Sequence, residues 1–521
     1  MTVLKRVVMV SAAILAMAAP AAAQDDRPTL TIGVQSLPAG FGPGLNISNV
    51  GQRVNYSIFD ELIRRAYWEG GNGNGNGTEL APSLATEWRN VSPKEWEVDI
   101  RTDVVFHDGT PMTAEDIAFS FGEERVFGAD RLVAVGPTYF GNFTAVEVVD
   151  EDTVIFTTSA PDPIFPYRFT ATMGKVVPKD YYLELGPEEF NLAPIGTGPY
   201  KLAEMRQGEF IRLESNDAYW GGLPPAREIT FLEVPEMSTR IAGLMTGELD
   251  MITDISPDQK GTLEQAGNVQ LMPALIDNSR VIVFNTVQAP MDDANLRRAM
   301  AYAVDRQAVV EALWGGDSQV LPELVFPSHG EEIFSGREAA HYDPQEAARL
   351  LEASDYNGED LIFRINGGYY TNYLEVAQVL QQMWRDAGIN VTIESSTEGG
   401  GALVEGVWHM RAWSNGMQMP DLTHPMINAW GATSIRTNPD DFRYTWTPPA
   451  HLLELHDLLN TTLDADERVA YFNEALDIVE AEAPQMELFQ HVEYFGVREG
   501  IDWQPYSFWM MDLGPNNLSF E

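Results

Sequence analysis

The sequence predicts an α/β protein with more than one subdomain. Three observations support this: short strand-like runs alternate with helical segments, helices are followed by a glycine and a strand, and the chain of 521 residues exceeds what one hydrophobic core usually serves. In the clearest unit, a helix is predicted from Leu374 to Ala387, Gly388 ends it, and Ile389 to Glu394 predicts a strand. We therefore expect two or three subdomains.

The elements of the first half follow from local patterns. Polar and apolar residues alternate from Thr29 to Val34, which predicts the first strand. Residues 55–67 predict a helix that ends at the glycine-asparagine run 70–77. Thr113 and Asp116 have the spacing of a capped helix start. Further strands are predicted at 96–101, 145–149, 153–158 and 200–205.

Glycines predict where several elements begin and end. Gly109 follows an aspartate and suits a tight turn with positive φ, and Gly196 and Gly198 predict a strained turn of the same kind before a strand. Gly247 is expected to close the helix 239–246 in the left-handed conformation.

One long helix is predicted from Leu296 to Trp314. Asp292 or Asp293 can cap it, and Gly315 can stop it. Its apolar residues fall on one helical face, so it is expected to pack against a core. A third unit of structure is expected to begin near this helix.

The N-terminus has the order of a secretory signal. Lys5 and Arg6 precede an apolar stretch, residues 7–19, and small residues at 21–23. No later stretch reaches the roughly 18 apolar residues that a membrane-spanning helix needs. We expect cleavage after Ala23 and a soluble periplasmic protein without membrane insertion. The chain has no cysteine, which excludes disulfides, thiolate nucleophiles, cysteine-bound metals and an anchor attached through cysteine.

The formal net charge of −44 narrows the range of partners. A surface this acidic repels nucleic acid and anionic lipid headgroups. We therefore expect neither as a partner. The charge fits a saline habitat or attraction for a cationic ligand. The habitat is the favoured explanation, because acidic residues are spread along the whole chain.

Enzyme motifs are missing from the sequence. It contains no Gly-x-Ser-x-Gly, no His-Glu-x-x-His and no Walker loop, and its eight histidines are scattered. We expect no catalytic activity, no metal site and no cofactor. A hydrolase remains a remote alternative, and turnover of a substrate would reveal it.

Several separated segments resemble those of one family when taken in order. They are Phe106 to Pro111, Thr113 to Asp116, Gly196 to Tyr200, Asn216 to Trp220, Thr239 to Asp250, Arg297 to Asp305 and Tyr342 to Pro344. In this order and at these separations they resemble the family 5 solute-binding proteins of bacterial ABC importers. The resemblance covers the chain from about Leu30 to about Trp503, and it indicates a carrier and not a catalyst.

The resemblance implies a periplasmic-binding-protein-like bilobal fold of the large three-subdomain type. Mixed β-sheets flanked by helices would form the lobes, and a ligand cleft would lie between them. The implied divisions are 24–78, 196–285 and 492–521 for lobe I, 79–195 for subdomain II, and 286–491 for lobe III.

The segment 407–416 resembles the family region that faces the ligand. Trp413 and Ser414 take an aromatic and a small polar contact position there. Gly416 stands where peptide binders often carry an aspartate for the ligand's α-ammonium group. Asp421 could replace that aspartate if the loop is rearranged. Otherwise the ligand lacks a free α-amine, as a sugar, an opine or a modified peptide would.

The remaining candidate contacts have two interpretations each. Arg411 could bind a ligand carboxylate or form a surface ion pair. The loop containing Gln35 and Ser36 follows the first strand, so it is either a contact with a peptide backbone or a simple turn. Trp408 could stack on a ligand or fill the core. The family alignment adds Asn372 approximately, and Asn415 is expected to offer polar contacts.

The implied function is that of the periplasmic substrate-binding component of an ABC importer. It would capture a small peptide or peptide-like solute by lobe closure and deliver it to permease subunits, and we expect it to act as a monomer. An oligosaccharide or an opine is the alternative solute. A nickel or haem carrier and a chemosensory partner are further alternatives.

Overall fold

The computed structural model describes residues 25–45, 48–67, 77–329, 337–338, 341–367, 369–396 and 405–521. The expected signal, residues 1–23, and most of the glycine-asparagine run lie outside them. Within these ranges no helix is long and apolar enough to cross a membrane.

The strands are numbered in chain order. They are β1 Thr29–Val34, β2 Ile63–Arg65, β3 Leu80–Pro82, β4 Ala85–Ser92, β5 Glu95–Ile100, β6 Phe143–Val148, β7 Thr153–Thr158, β8 Tyr200–Arg206, β9 Phe210–Ser215, β10 Glu228–Glu233, β11 Met251–Ile252, β12 Val269–Phe284, β13 Leu361–Asn366, β14 Val391–Ser396, β15 Met410–Gly416, β16 Gln485–Arg498, β17 Ile501–Trp503 and β18 Leu518–Phe520.

The α-helices flank these strands. They are Asn49–Ile58, Ala114–Ser120, Gly136–Phe140, Phe165–Arg168, Lys179–Leu185, Pro187–Leu192, Met237–Thr246, Lys260–Glu264, Ala294–Tyr302, Arg306–Trp314, Pro344–Glu352, Tyr373–Asp386, Ala450–Thr461 and Ala465–Glu482.

A ten-stranded mixed sheet runs through most of the molecule, in the order β14-β13-β15-β12-β16-β11-β1-β10-β9-β8. Its two longest strands, β12 and β16, pair antiparallel in the middle. β1 is parallel to β10 and β11 on one side, and β13 is parallel to β14 and β15 on the other. The register of the β12–β16 pair shifts between Leu275 and Ser279, where the strands pass from one half of the sheet to the other.

A second, antiparallel sheet has the order β4-β5-β7-β6. One face packs on phenylalanine rings in edge-on contact, including Phe121 against Phe169 with ring centroids 4.9 Å apart. Separate apolar cores lie under the two halves of the large sheet. This is the expected bilobal α/β fold. The residue boundaries of the lobes stay a prediction; the one at 491–492 lies inside β16.

Two predicted helices differ from the structure. The helix predicted at 55–67 spans Asn49–Ile58, because the Ser48 side chain accepts the Gly51 N–H and sets an earlier start. The helix predicted from Leu296 to Trp314 is two helices. Asp293 caps the first, and Asp305 accepts the Ala308 N–H at 3.0 Å and starts the second. An acidic residue inside an apolar helical pattern was the signal for this break.

The glycines fall into two groups. Gly109 and Gly247 have φ of 86° and 81°, which confirms the tight turn and the left-handed helix end. The prediction of positive φ for Gly196 and Gly198 was wrong. Instead, a Cβ on Gly196 would lie 2.1 Å from the Ile58 carbonyl oxygen. Glycine is needed there because another part of the backbone passes too close for any side chain.

Candidate ligand-binding cleft

The cleft lies where parallel strands of the two halves of the large sheet end. β1 ends at Val34, and β15 ends at Gly416. Loops beyond the carboxyl ends of such strands are common ligand sites. Tyr369, after β13, meets the backbone of Asn49 from the opposite half, so the halves touch across the cleft. Burial and the neighbouring Tyr370 raise the pKa of Tyr369 to about 12 despite that hydrogen bond.

Arg411 is the most unusual residue of the cleft. Its guanidinium is fully buried and has no hydrogen-bond partner among the described residues. It lies between two indole rings, with its Cζ 4.4 Å from the Trp413 ring centroid and 5.3 Å from that of Trp408. Stacking on aromatic faces stabilises the cation but leaves its N–H donors unsatisfied.

The electrostatic surroundings of Arg411 are positive. Burial, with repulsion from Arg436 and Arg443, lowers its pKa to about 9, so it stays charged at neutral pH. Arg443 is neutralised by Asp441 at 2.7 Å. Within the described part of the chain, Arg436 donates to neutral acceptors only, the side-chain oxygens of Gln485 at 2.8 Å and Asn415 at 3.0 Å. An unpaired buried cation is costly, and a bound anion would relieve that cost.

Arg280 is a second buried cation beside the end of β15. It pairs in register with Ser414, and its Cζ lies 4.2 Å from the Tyr370 ring centroid. To the residues that the structure describes, it donates one hydrogen bond, to the Asn278 side-chain oxygen at 3.2 Å. Tyr370 in turn donates to the Ser414 hydroxyl at 3.2 Å. Ser414, near the end of β15, therefore lies beside Arg280 and accepts a hydrogen bond from Tyr370.

A third arginine closes the opposite side of the cleft. Arg53 forms ion pairs with Asp254 at 2.6 Å and with Glu493 at 3.4 Å. Trp509 lies between this group and Arg280, 5.7 Å from the Cζ of each arginine. Burial and the charge of Asp254 raise the pKa of Glu493 to about 8. Among the described residues, Arg53, unlike Arg280 and Arg411, has an ionised carboxylate at ion-pair distance, that of Asp254.

The structure brings five of the predicted site residues together on or beside β15: Trp408, Arg411, Trp413, Ser414 and Asn415. Trp413 is part of the strand and not of a loop after it. Trp408 is buried beneath Arg411, and Asn415 is held by Arg436 and Gln485.

The other predicted residues lie apart from β15 in sequence. Gln35 and Ser36 are half-buried directly after β1. Asn372 has a left-handed φ of 55° where the helix Tyr373–Asp386 begins.

Asp421 is already paired within the protein. Arg468 approaches its carboxylate to 2.5 Å, and the Thr423 N–H donates to it at 2.8 Å. Burial alone would raise its pKa, but Arg468 brings the pKa below the ordinary value. At Gly416, an added Cβ would lie 3.2 Å from the Asn278 amide nitrogen, so the position is tight but not closed.

Sequence reasoning missed Arg280, Arg436 and Trp509 as parts of the cleft. The sequence could have indicated Arg280, because this residue precedes the apolar run Val281 to Phe284. A charge inside a buried strand needs a partner. Arg436 and Trp509 gave no such signal, since each reaches the cleft from an irregular segment. In the described part of the chain, no group of three or more His, Asp or Glu is arranged to hold a metal ion.

Comparisons with known proteins agree with this architecture. Residues 79–451 match the model for the middle part of the bacterial extracellular solute-binding proteins, family 5. The dipeptide-binding protein of Escherichia coli strain K12 is 26% identical over 416 residues, which cover 75% of this chain and 76% of that protein. Heme-binding protein A of Haemophilus influenzae is 26% identical over 486 residues, covering 86% and 84%.

Solved structures share the fold. The dipeptide-binding protein from Pseudoalteromonas sp. SM9913 in complex with Met-Leu has a TM-score of 0.82 at 20% identity, covering 95% of this chain and all of that one. AgaA of A. tumefaciens R10 in complex with agropinic acid has a TM-score of 0.80 at 21% identity, covering 95% and 99%. The chain belongs to the family 5 bacterial extracellular solute-binding proteins, the substrate-binding components of ABC importers.

Proposed function

We propose that the solute carried by this protein is a small peptide or peptide-like molecule with a carboxylate that binds Arg411. The observation that carries the proposal is the buried guanidinium without a hydrogen-bond partner, held between Trp408 and Trp413. Arginine matches the planar, bidentate geometry of a carboxylate better than any other side chain. The dipeptide and Met-Leu named for two of the similar proteins support the same solute class.

The other predicted contacts take complementary roles in this proposal. The half-buried Trp413 ring covers the solute, Ser414 offers a hydroxyl, and Gln35 and Ser36 approach from the opposite half of the sheet when the lobes close. Asn372 lines the edge near Tyr370. Closure buries the solute and strengthens each charged contact, because water is excluded from the cleft.

An opine or another acidic solute without a free α-amine is the second candidate. Gly416 offers no carboxylate for an ammonium group, and the carboxylate of Asp421 is held by Arg468. Agropinic acid in a structure of the same fold shows that this architecture accommodates such a solute. An oligosaccharide is disfavoured here, since a neutral sugar would leave Arg411 without an anionic partner.

The proposal extends to the cellular context. We propose export through the N-terminal signal, removal of residues 1–23, a periplasmic location and action as a monomer with permease subunits of an ABC importer. Intact-mass measurement of the exported protein checks the cleavage, with Gln24 expected as the first residue. A mature chain that retains Met1 would contradict it.

Mass spectrometry of solute released from freshly purified protein tests the proposed solute class. The released molecule is expected to contain a carboxylate. In calorimetry with that molecule, Arg411→Gln should weaken binding by about 1.5–3 kcal/mol, the range for a hydrogen bond to a charged group. The same substitution should raise the unfolding temperature without solute, because it removes an unpaired buried charge.

Arg349→Gln is a matched control, since this arginine is exposed on a helix and pairs, among described residues, with Glu346 alone. It should change neither binding nor stability appreciably. A released solute without a carboxylate, or unchanged affinity in Arg411→Gln, would refute the proposed role of Arg411.

A further inference from the structure

Arg280 has no role in the proposal so far, yet its position is costly. It is 3% exposed and lies in a chain with 77 acidic and 33 basic residues. Despite that excess of acid, no described carboxylate lies at ion-pair distance from it, and its hydrogen bond goes to a neutral amide. Glu493, a carboxylate of the neighbouring strand, accepts from Arg53 and from the Asp254 N–H instead.

Arg280 and Arg411 flank the end of β15, one against Tyr370 and the other against Trp413. Both lower the pKa of Tyr370, against the stronger effect of burial, so the fields of the two guanidiniums meet at its hydroxyl. Along β15, Arg280 pairs with Ser414, and Arg411 lies three residues earlier, so the two side chains leave opposite faces at the end of this strand. The described end of this strand is therefore a region of positive potential from two cations.

Two of the described carboxylates near this strand end are committed to other groups, and burial raises the pKa of a third, Glu487, well above its ordinary value. Asp421 pairs with Arg468 at 2.5 Å, and Asp277 pairs with Arg65 at 2.8 Å. Among the described residues, the site therefore combines two cations that have no carboxylate at ion-pair distance with little provision for an ammonium group. A monoanionic solute would satisfy one guanidinium and leave the other buried without an anion.

We propose that Arg280 is a second anion-binding and specificity-determining residue, and that the solute carries at least two anionic groups, one for each arginine. The inference rests on the proposed function, because it assumes that Arg411 binds a carboxylate in this cleft. It narrows the solute class to acidic peptides and peptide-like diacids, and it removes the need for a free α-amine.

Calorimetry with matched peptides tests the second site. N-acetyl-Ala-Glu carries two carboxylates, N-acetyl-Ala-Gln carries one, and Ala-Glu adds a free amine. We expect N-acetyl-Ala-Glu to bind at least tenfold more tightly than N-acetyl-Ala-Gln, and no weaker than Ala-Glu. Arg280→Gln should abolish the preference for glutamate, whereas Arg411→Gln should weaken both acetylated peptides.

Folding of the variants is checked by thermal unfolding without peptide. Arg280→Gln should unfold at the same or a higher temperature, and Arg280→Lys, which keeps the charge, should retain part of the preference. Equal affinity for the two acetylated peptides would overturn the second anion site and leave the proposed function intact. If no peptide binds, the proposed peptide class fails, and the released solute then decides on Arg280: a neutral, cationic or monoanionic solute overturns the inference, and a dianionic one supports it.

Discussion

At the scale of single residues, the cleft is defined by how each buried arginine is balanced. Among the described residues, Arg53 contacts the carboxyl groups of Asp254 and Glu493, Arg411 contacts aromatic faces only, and Arg280 contacts aromatic faces and one amide. Removing one partner of a buried pair leaves an uncompensated charge, which costs far more than an exposed pair contributes. The arginines without carboxylates are therefore the residues where binding and stability are expected to oppose each other.

Trp413→Ala should weaken binding of the released solute by about 1–3 kcal/mol, the range for truncating an aromatic anchor. The indole covers the cleft and also holds the Arg411 guanidinium at 4.4 Å, so its loss affects both contacts. Calorimetry gives the change. Trp88→Ala, in β4 of the other sheet, should leave affinity unchanged. Unaltered affinity in Trp413→Ala would show that the indole belongs to the core only.

Asp421→Asn should destabilise the folded protein by about 3–5 kcal/mol at neutral pH, because it leaves Arg468 buried without its partner. The wild-type pKa is lowered, so the stabilising effect is present above the unfolded-state pKa and lost as pH falls through the folded-state value. Urea unfolding at several pH values measures it. The exposed Asp440→Asn is the control. Loss of solute affinity without loss of stability would instead assign Asp421 to the ligand.

At the scale of elements, the long strands β12 and β16 connect the two halves of the molecule. Charged residues of the cleft, Arg280 and Glu493, lie on these strands, close to where the register shifts. A strand shared by both halves holds these side chains at the boundary while each half keeps its own core. The turn at Gly196 likewise depends on a second element, because the helix that ends at Ile58 passes against it.

Two glycine substitutions separate backbone conformation from close approach. Gly109→Ala should cost about 1 kcal/mol, because φ is 86° but a Cβ meets nothing within 4 Å. Gly196→Ala should cost about 3 kcal/mol, because its Cβ would lie 2.1 Å from the Ile58 oxygen. Chemical unfolding measures both. Equal costs for the two substitutions would contradict the close-approach explanation.

At the scale of the whole molecule, stability should be greatest at mildly acidic pH. Burial raises the pKa of Glu61 and Glu323 to about 7. Burial and the charge of Asp254 raise the pKa of Glu493 to about 8. The folded state therefore keeps protons that the unfolded state releases near pH 4.3 or so. Stability is therefore lost as pH rises through these values. Buried histidines such as His107, whose pKa burial lowers to about 4, have the opposite effect, because their contribution to stability is lost as pH falls below about 6.5.

Glu493→Gln tests this pH dependence. In the wild type, this carboxyl should lower the free energy of unfolding by up to about 1.4 kcal/mol per pH unit between roughly pH 4.5 and 8. The substitution should remove that contribution, because glutamine cannot ionise. Urea unfolding across this range, in high salt to reduce repulsion within the acidic surface, measures the slope. The exposed Glu375→Gln should leave the slope as it is. An unchanged slope in Glu493→Gln would show that this carboxyl ionises normally.

The sequence by itself determined the features that depend on neighbouring residues or on ordered motifs. Period-two alternation located β1, the left-handed end at Gly247 followed from glycine's freedom, and the ordered segments led to the family and to the region of Trp413. Only the tertiary structure decided that Asp421 pairs with Arg468, that Gly196 faces Ile58, and that Arg280 and Arg411 have no described carboxylate at ion-pair distance. These facts concern residues far apart in the chain, and no local pattern encodes which buried charge meets a carboxylate and which does not.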